Sequence, residues 1–272
     1  MSAIRLASIA IYPVKSCRGI ALDRATVEAR GIAGDRRWMI VDDAGVFVTQ
    51  REEPRLALVR VALDRDRLAL EAPAMGALSV DADLATLEPA AEVRIWRTVV
   101  TARVHGDASA WFSEYLGRAV RFVSMPESTR RPVNPAYAGP GDVVSFADGY
   151  PLLVTSRSSL EDLNARLEVP VGMERFRPNV VIEGAEAWDE DRWAGLRIGG
   201  LTFRAPKPCA RCVITTIDPE SGIAAREPLR TLATFRKQAD GVMFGVNLIP
   251  DLADGATAEL AIGDPVVPIA RA

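Results

Sequence analysis

The chain has 272 residues, 49% of them hydrophobic and 25% charged, with 36 acidic and 33 basic side chains for a net charge of -3. That length buries a sizeable core in one large or two ordinary domains. The lack of a basic surplus excludes a general nucleic-acid binder while leaving room for a local anion pocket. One histidine, His105, and three cysteines, Cys17, Cys209 and Cys212, exclude a multi-histidine metal site within the chain and a disulfide scaffold.

The N-terminal MSAIRLASIAIYPVKSCRG lacks the long apolar region and cleavage site of a signal peptide. No apolar run approaches the ~20 residues of a membrane span. These features, with an odd cysteine count, lead to the expectation of a reduced, cytoplasmic protein without a membrane partner. Strand-type runs follow at 3–11, 37–42, 57–63, 67–71, 91–97 and 99–104. Turns separate them at Asp42 and Asp43 with Gly45, at Asp64 to Asp66, and at Pro73 with Gly76. Many short strands at near-regular spacing predict a small antiparallel barrel or sandwich. Asp107 is placed to cap a helix over 108–116, stopped by Gly117.

Residues 126–145 are rich in Pro, Gly and Arg and read as a long loop or inter-domain crossing. A second unit begins with a strand at 152–155 and an amphipathic helix over 156–167, with Leu160, Leu163 and Leu167 on one face. Strands are predicted at 180–183, 201–205, 213–217 and 257–262, and a helix over 227–238 with Pro228 in its first turn. The terminal IGDPVV reads as a turn into an edge strand. The expected class is mixed α/β, predominantly β, with few helices. The expected domains are 1–120, a β-barrel-like unit, and 121–272.

The sharpest chemical signal is Cys209-Ala210-Arg211-Cys212 after Pro206-Lys207-Pro208. A thioredoxin-like redox pair needs a helix after its first cysteine, whereas the β-branched 213–217 favours a strand. A zinc site would draw on Cys17, Cys209, Cys212 and His105, but a second closely spaced ligand pair is missing. A third reading makes Cys212 a single thiolate ligand to a softer, redox-active metal. Cys209 is then structural, and Arg211 and Lys207 hold Cys212 as thiolate. Two buried structural cysteines are the plain alternative. Elsewhere Lys15, Ser16, Arg36 and Arg177 stand beside strand ends. Together with Arg211 their cations suit an anionic cofactor, since guanidinium forks match phosphate oxygens.

Six segments carry a resemblance over nearly the whole chain: YPVKSC at 12–17, GDRRW at 34–38, TQREEPRL at 49–56, FRPNVVI at 176–182, PCARCVITTIDPESG at 208–222 and IGDPV at 262–266. In this order they resemble MOSC-domain proteins with an N-terminal MOSC β-barrel region, above all the amidoxime-reducing components. The resemblance implies a β-barrel-type MOSC domain holding molybdenum on a pterin in its monophosphate form. It implies Cys212 as metal ligand and catalytic residue. Lys15, Ser16, Arg36, Arg177, Ala210 and Arg211 would bind the pterin and its phosphate, with Ser156 and Asn247 as further contacts. The implied reaction is reduction of N-hydroxylated compounds: amidoximes, N-hydroxy bases and hydroxylamines. The chain carries no plant-type Cys-x₄-Cys-x₂-Cys, so a separate reductase, or an iron–sulfur, haem or flavin protein, is the expected electron donor. Rival roles are a sulfur carrier using Cys212, a molybdenum-cofactor carrier without turnover, and a zinc-stabilised interaction module.

Overall fold

The structure, a computed structural model, describes residues 3–64, 67–81, 90–253 and 255–271. In chain order the strands are β1 (Arg5–Ile11), β2 (Ile20–Leu22), β3 (Arg24–Glu28), β4 (Gly31–Ile32), β5 (Trp38–Val41), β6 (Arg60–Asp64), β7 (Arg67–Glu71), β8 (Leu78–Asp81), β9 (Ala90–Ile95) and β10 (Thr98–His105). Helix α1 (Gly106–Leu116), β11 (Arg121–Ser124), β12 (Leu152–Ser156), α2 (Arg157–Asn164), β13 (Val180–Glu183) and β14 (Trp193–Ile198) follow. The chain ends through β15 (Leu201–Arg211), α3 (Leu229–Phe235), β16 (Lys237–Gln238), β17 (Gly241–Pro250), β18 (Ala258–Ala261) and β19 (Val266–Ala270). Strands dominate and α-helices are few, as the composition and spacing predict.

The largest sheet runs β19-β14-β15-β17-β12-β13-β1-β2, with β16 beside β17. Only its β12–β13 pair is parallel, and α2 lies in that crossover, as a parallel connection requires. Alternating side chains fill one face: Leu6 and Ile9 of β1, Leu196 and Ile198 of β14, Leu201 and Phe203 of β15, and Val246 and Leu248 of β17. The ladder does not close into a continuous barrel. A single bridge, Arg5 to Pro265, with Leu6 N donating to Asp264 O at 2.9 Å and Val266 N to Ile4 O at 2.9 Å, links β1 to the segment entering β19.

Smaller sheets β5-β11-β10-β9 and β6-β7-β8 share a second core with α1, built on Trp38, Ile40, Leu68, Leu70, Phe112 and Phe122. Strands β1 and β2 nevertheless belong to the large sheet, and β3 pairs with β18. Early and late sequence are therefore interleaved where the site forms.

Three local expectations change. His105, not Asp107, occupies the cap of α1, while Gly117 ends it at φ 68 as expected. The 227–238 helix shortens to α3 because Lys237 and Gln238 pair with Val242 and Gly241. The 213–217 strand is instead a 3-10 turn over Val213–Thr216. The turn at Asp64 to Asp66 lies partly outside the described residues, at 65–66. The 126–145 segment is irregular but anchored. Buried Arg131 donates to the carbonyls of Ser145 (2.8 Å), Ala147 (2.5 Å) and Asp148 (3.0 Å), and Val133 and Val144 pack with Ile249.

One buried acid makes stability depend on pH. Glu190 is fully buried and accepts from Ser159 Oγ at 2.7 and 2.9 Å. Burial pushes its carboxyl from 4.5 up to about 7, against the lowering effect of the Ser159 hydrogen bond. A carboxyl raised on folding binds a proton in the folded state, so its stabilisation is full below the unfolded pKa and is lost as pH rises through the folded one. The shift corresponds to roughly 3 kcal/mol. Urea unfolding of Glu190→Gln against wild type, between about pH 5 and about pH 8, is expected to show the variant gaining relative stability by this order as pH rises. A difference independent of pH contradicts the assignment.

Candidate functional site

Against the large sheet the chain opens a cleft. The structure brings together Lys15 and Ser16 after β1, Arg36 before β5, Arg177 before β13, Ala210, Arg211 and Cys212 at the end of β15, and Asn247 on β17. Ser156 does not join them. It stands at the far end of β12, paired with Ile182, fully buried with its hydroxyl 2.7 Å from that of Ser158. The residues of β12 that line the cleft are Leu152 and Leu153, at the opposite end of the strand.

Two prolines aim the cysteine motif. Pro206 and Pro208 cannot donate to the ladder, and the β15–β17 register shifts between Arg204 and Lys207 and again between Pro208 and Ala210. Such bulges redirect side chains. Asn247 secures this stretch by donating to the carbonyl of Pro208 at 3.2 Å. Cys209 and Arg211, two apart on β15, share a face, and Arg211 Nη1 donates to Cys209 Sγ at 3.1 Å. Cys212 then leaves the strand to head the 3-10 turn. There Thr215 Oγ1 bonds back to Cys212 O at 3.0 Å and Thr216 Oγ1 to Val213 O at 2.7 Å. Hydroxyls that capture local carbonyls compete with a strand ladder, which is why β-branched residues fail to extend β15.

Neither cysteine of the motif is buried, so the plain structural reading of the pair, and of Cys209 in particular, does not stand. The cation at Cys212 is also different from the expected ones. Arg51 Nη2 lies 3.4 Å from Cys212 Sγ, whereas Arg211 serves Cys209 and Lys207 pairs with Asp240 at 3.2 Å. Arg51 also meets Asp148 at 3.3 Å. The same carboxylate takes the Lys15 ammonium at 2.5 Å, and Lys15 further donates to Phe146 O at 2.9 Å. Burial pushes the Lys15 ammonium below its ordinary value, although Asp148 opposes it. Burial would raise Asp148, but Lys15 first and Arg51 after it hold the carboxyl well below the usual range. Sequence reasoning missed Arg51 and Asp148. The quoted TQREEPRL segment contained the first, and no local signal marked the second.

Deeper in the cleft Arg36 and Arg177 flank the Tyr12 ring at 4.5 and 4.2 Å. Arg36 donates to Asp35 (2.7 Å), Asn179 Oδ1 (3.1 Å) and Arg177 O (3.2 Å). Arg177 donates to Cys17 O at 2.6 Å. Burial, reinforced by Arg36, brings the Arg177 guanidinium down to about 10, and burial drives the Tyr12 hydroxyl up to about 12. Ser16, Arg36 and Arg177 all hold positive φ, at 72, 47 and 53 degrees. Strain of this kind persists where surrounding structure enforces it, and it gathers at functional sites. Along the cleft Lys15, Arg36, Arg51, Arg177 and Arg211 face one lining carboxylate, Asp148, and Arg211 Nε is buried without a partner.

Residues 3–119 match the MOSC N-terminal beta barrel domain and residues 141–267 match the MOSC domain. The chain belongs to the MOSC-domain family. Mitochondrial amidoxime reducing component 2 of Rattus norvegicus is 38% identical over 238 residues, covering 83% of this MOSC protein and 70% of that one. Mitochondrial amidoxime-reducing component 1 of Xenopus laevis is 32% identical over 98% of this chain and 82% of its own. Molybdenum cofactor sulfurase of Oryza sativa subsp. japonica is 32% identical over 98% of this chain and 36% of its own length. The expectation of a cytoplasmic location is corrected here, because the amidoxime-reducing relatives are mitochondrial by name. Among the described residues no helix is long and apolar enough to cross a membrane, and no three His, Cys, Asp or Glu side chains converge to hold a metal ion. The zinc reading loses its ligand set: Cys17 is buried in the core, and His105 packs edge-on to Phe122 at 5.4 Å.

Proposed function

We propose that this MOSC protein is a molybdenum-cofactor-dependent oxidoreductase that reduces N-hydroxylated compounds, namely amidoximes, N-hydroxy bases and hydroxylamines. A separate reductase, or an iron–sulfur, haem or flavin protein, supplies the electrons. The carrying observation is the charge of the cleft: five cations and a partly exposed thiol, Cys212, against one carboxylate. That imbalance, with the unpartnered Arg211 Nε, fits a polyanionic group bearing phosphate oxygens. A soft thiolate beside it fits a redox-active metal. Since no protein cluster of three ligands is present among the described residues, a metal on Cys212 must bring most of its ligands with it, as a pterin-borne molybdenum does.

When bound, the molybdenum–pterin cofactor in its monophosphate form supplies the two-electron chemistry that takes oxygen from an N–O bond as water. The chain supplies placement. Cys212 ligates the metal. Arg36 and Arg177 grip the phosphate, while Lys15, Ser16, Ala210, Arg211 and Asn247 fix the pterin. Arg51 steadies the Cys212 sulfur, and the Lys15–Asp148 pair holds a proton at the cleft. In this reading 1–120 contributes Lys15, Ser16, Arg36 and Arg51, and 121–272 contributes the rest.

Protein from a molybdenum-competent host, assayed with a chemical reductant, is expected to hold molybdenum and pterin and to turn over an amidoxime. Metal and pterin without turnover would make it a cofactor carrier. Metal-free protein with sulfane sulfur on Cys212 would make it a sulfur carrier.

A further inference from the structure

Beside the cleft lies a second, shallower hollow that the reading above leaves unused. Its walls are the tip of the β9–β10 hairpin, with Trp96 and Arg97, and the loop around Tyr137. Its floor at Asp148 and Tyr150 is shared with the cleft. The hairpin tip is chemically odd. Ile95 pairs with Thr98, leaving Trp96 and Arg97 as a two-residue turn, where glycine or asparagine normally supplies the left-handed backbone. Here Trp96 adopts φ 55 while the residue is 50% exposed. A bulky residue in that region costs about 1–3 kcal/mol, and core burial does not explain it. The indole meets Phe47 edge-on at 5.0 Å, and the Arg51 guanidinium lies 5.0 Å from its centroid. Arg51 in turn touches Cys212 Sγ. Across the hollow Tyr137 is 40% exposed, and its ring carries the Lys207 ammonium 4.5 Å from the centroid. Exposed Arg97 has no hydrogen-bond or ion-pair partner among the described residues.

We propose that this hollow is the seat of the substrate and that it selects flat, conjugated molecules carrying an acidic group. The ring lies against Trp96 and Tyr137, the acidic group meets Arg97, and the N-hydroxyl group points to Cys212. This rests on the reduction proposed for the cleft. Stacking on an aromatic side chain contributes about 1–3 kcal/mol, and an exposed charge pair roughly 0.2–1 kcal/mol.

The test uses full-length, cofactor-loaded protein with a chemical reductant and four substrates: an aromatic amidoxime, its carboxylate and trimethylammonium derivatives, and an aliphatic amidoxime. Trp96→Gly is expected to raise KM for the aromatic carboxylate about tenfold, with kcat nearly constant, KM for the aliphatic compound unmoved and thermal stability undiminished, because glycine suits the turn. Arg97→Ala is expected to raise KM about threefold for the carboxylate derivative alone. Calorimetric binding of the carboxylate derivative's amidine product, weakened in Trp96→Gly, reports the seat without turnover. That loss of binding supports the hollow even if no amidoxime is reduced and the proposed reaction fails. Normal turnover with KM indifferent to Trp96→Gly overturns the inference. So does a defect seen only when a donor protein replaces the chemical reductant, which would make Trp96 part of a donor-docking face.

Discussion

Cys212→Ser is expected to empty the protein of molybdenum while leaving it folded. The side chain heads a turn whose hydrogen bonds come from Thr215 and from backbone atoms, not from the sulfur, and it is only partly buried. A serine oxygen preserves this geometry and removes the soft ligand. Metal analysis after gel filtration is therefore expected to fall from near-stoichiometric to background, with a melting temperature of the cofactor-free protein within a few degrees of wild type. Cys209→Ser separates the two cysteines. It lies in the same cleft, half-buried, as an acceptor for Arg211. Replacement is expected to keep the metal and to change stability by less than about 0.5 kcal/mol, the range of surface substitutions. Were Cys209→Ser to lose the metal and Cys212→Ser to keep it, the ligand assignment would be reversed.

Arg177→Met is expected to give the second-largest effect, on the pterin rather than the metal bond. Arg177 stands with Arg36 around the Tyr12 ring, and the two guanidinium groups oppose each other's charge. Burial first, and that repulsion after it, depress Arg177. Such an arrangement waits for an anion. Charge-assisted hydrogen bonds to phosphate are worth about 1.5–3 kcal/mol, so losing the fork is expected to weaken pterin retention by up to about a hundredfold. The cofactor-free protein should lose little stability, because removing one of two adjacent cations offsets the lost bond to Cys17 O. Measured by pterin fluorescence after dialysis, retention equal to wild type would remove Arg177 from the phosphate site.

Much of this was legible because the relevant signals are local. Strand alternation located most of β1, β7, β12 and β13 and the first five residues of β15, and Leu160 and Leu163 of α2 pack toward Phe176 and Phe244 with Leu167, although the helix ends at Asn164, short of the expected 167. The basic residues of the quoted motifs each flank a strand, but their convergence is tertiary: Lys15 follows β1, Arg177 precedes β13 and Arg211 ends β15 in the large sheet, while Arg36 precedes β5 of the four-stranded sheet. What stayed hidden depends on distant partners. Arg51 reaches Cys212 across 161 residues, and Asp148 joins Lys15 across 133. Ser156 lies outside the cleft because it stands at the end of β12, whose other end supplies Leu152 and Leu153 to the lining. The 213–217 run failed because threonine hydroxyls satisfied the backbone locally, overriding β propensity.

The central claim is a bond between one sulfur atom of the chain and molybdenum. X-ray absorption at the molybdenum edge tests it on the wild-type protein and on Cys212→Ser measured with added cofactor present, without the gel filtration that would strip the metal from the variant. The account requires one more sulfur neighbour in the wild type than in the variant. Equal sulfur shells in the two proteins would contradict it.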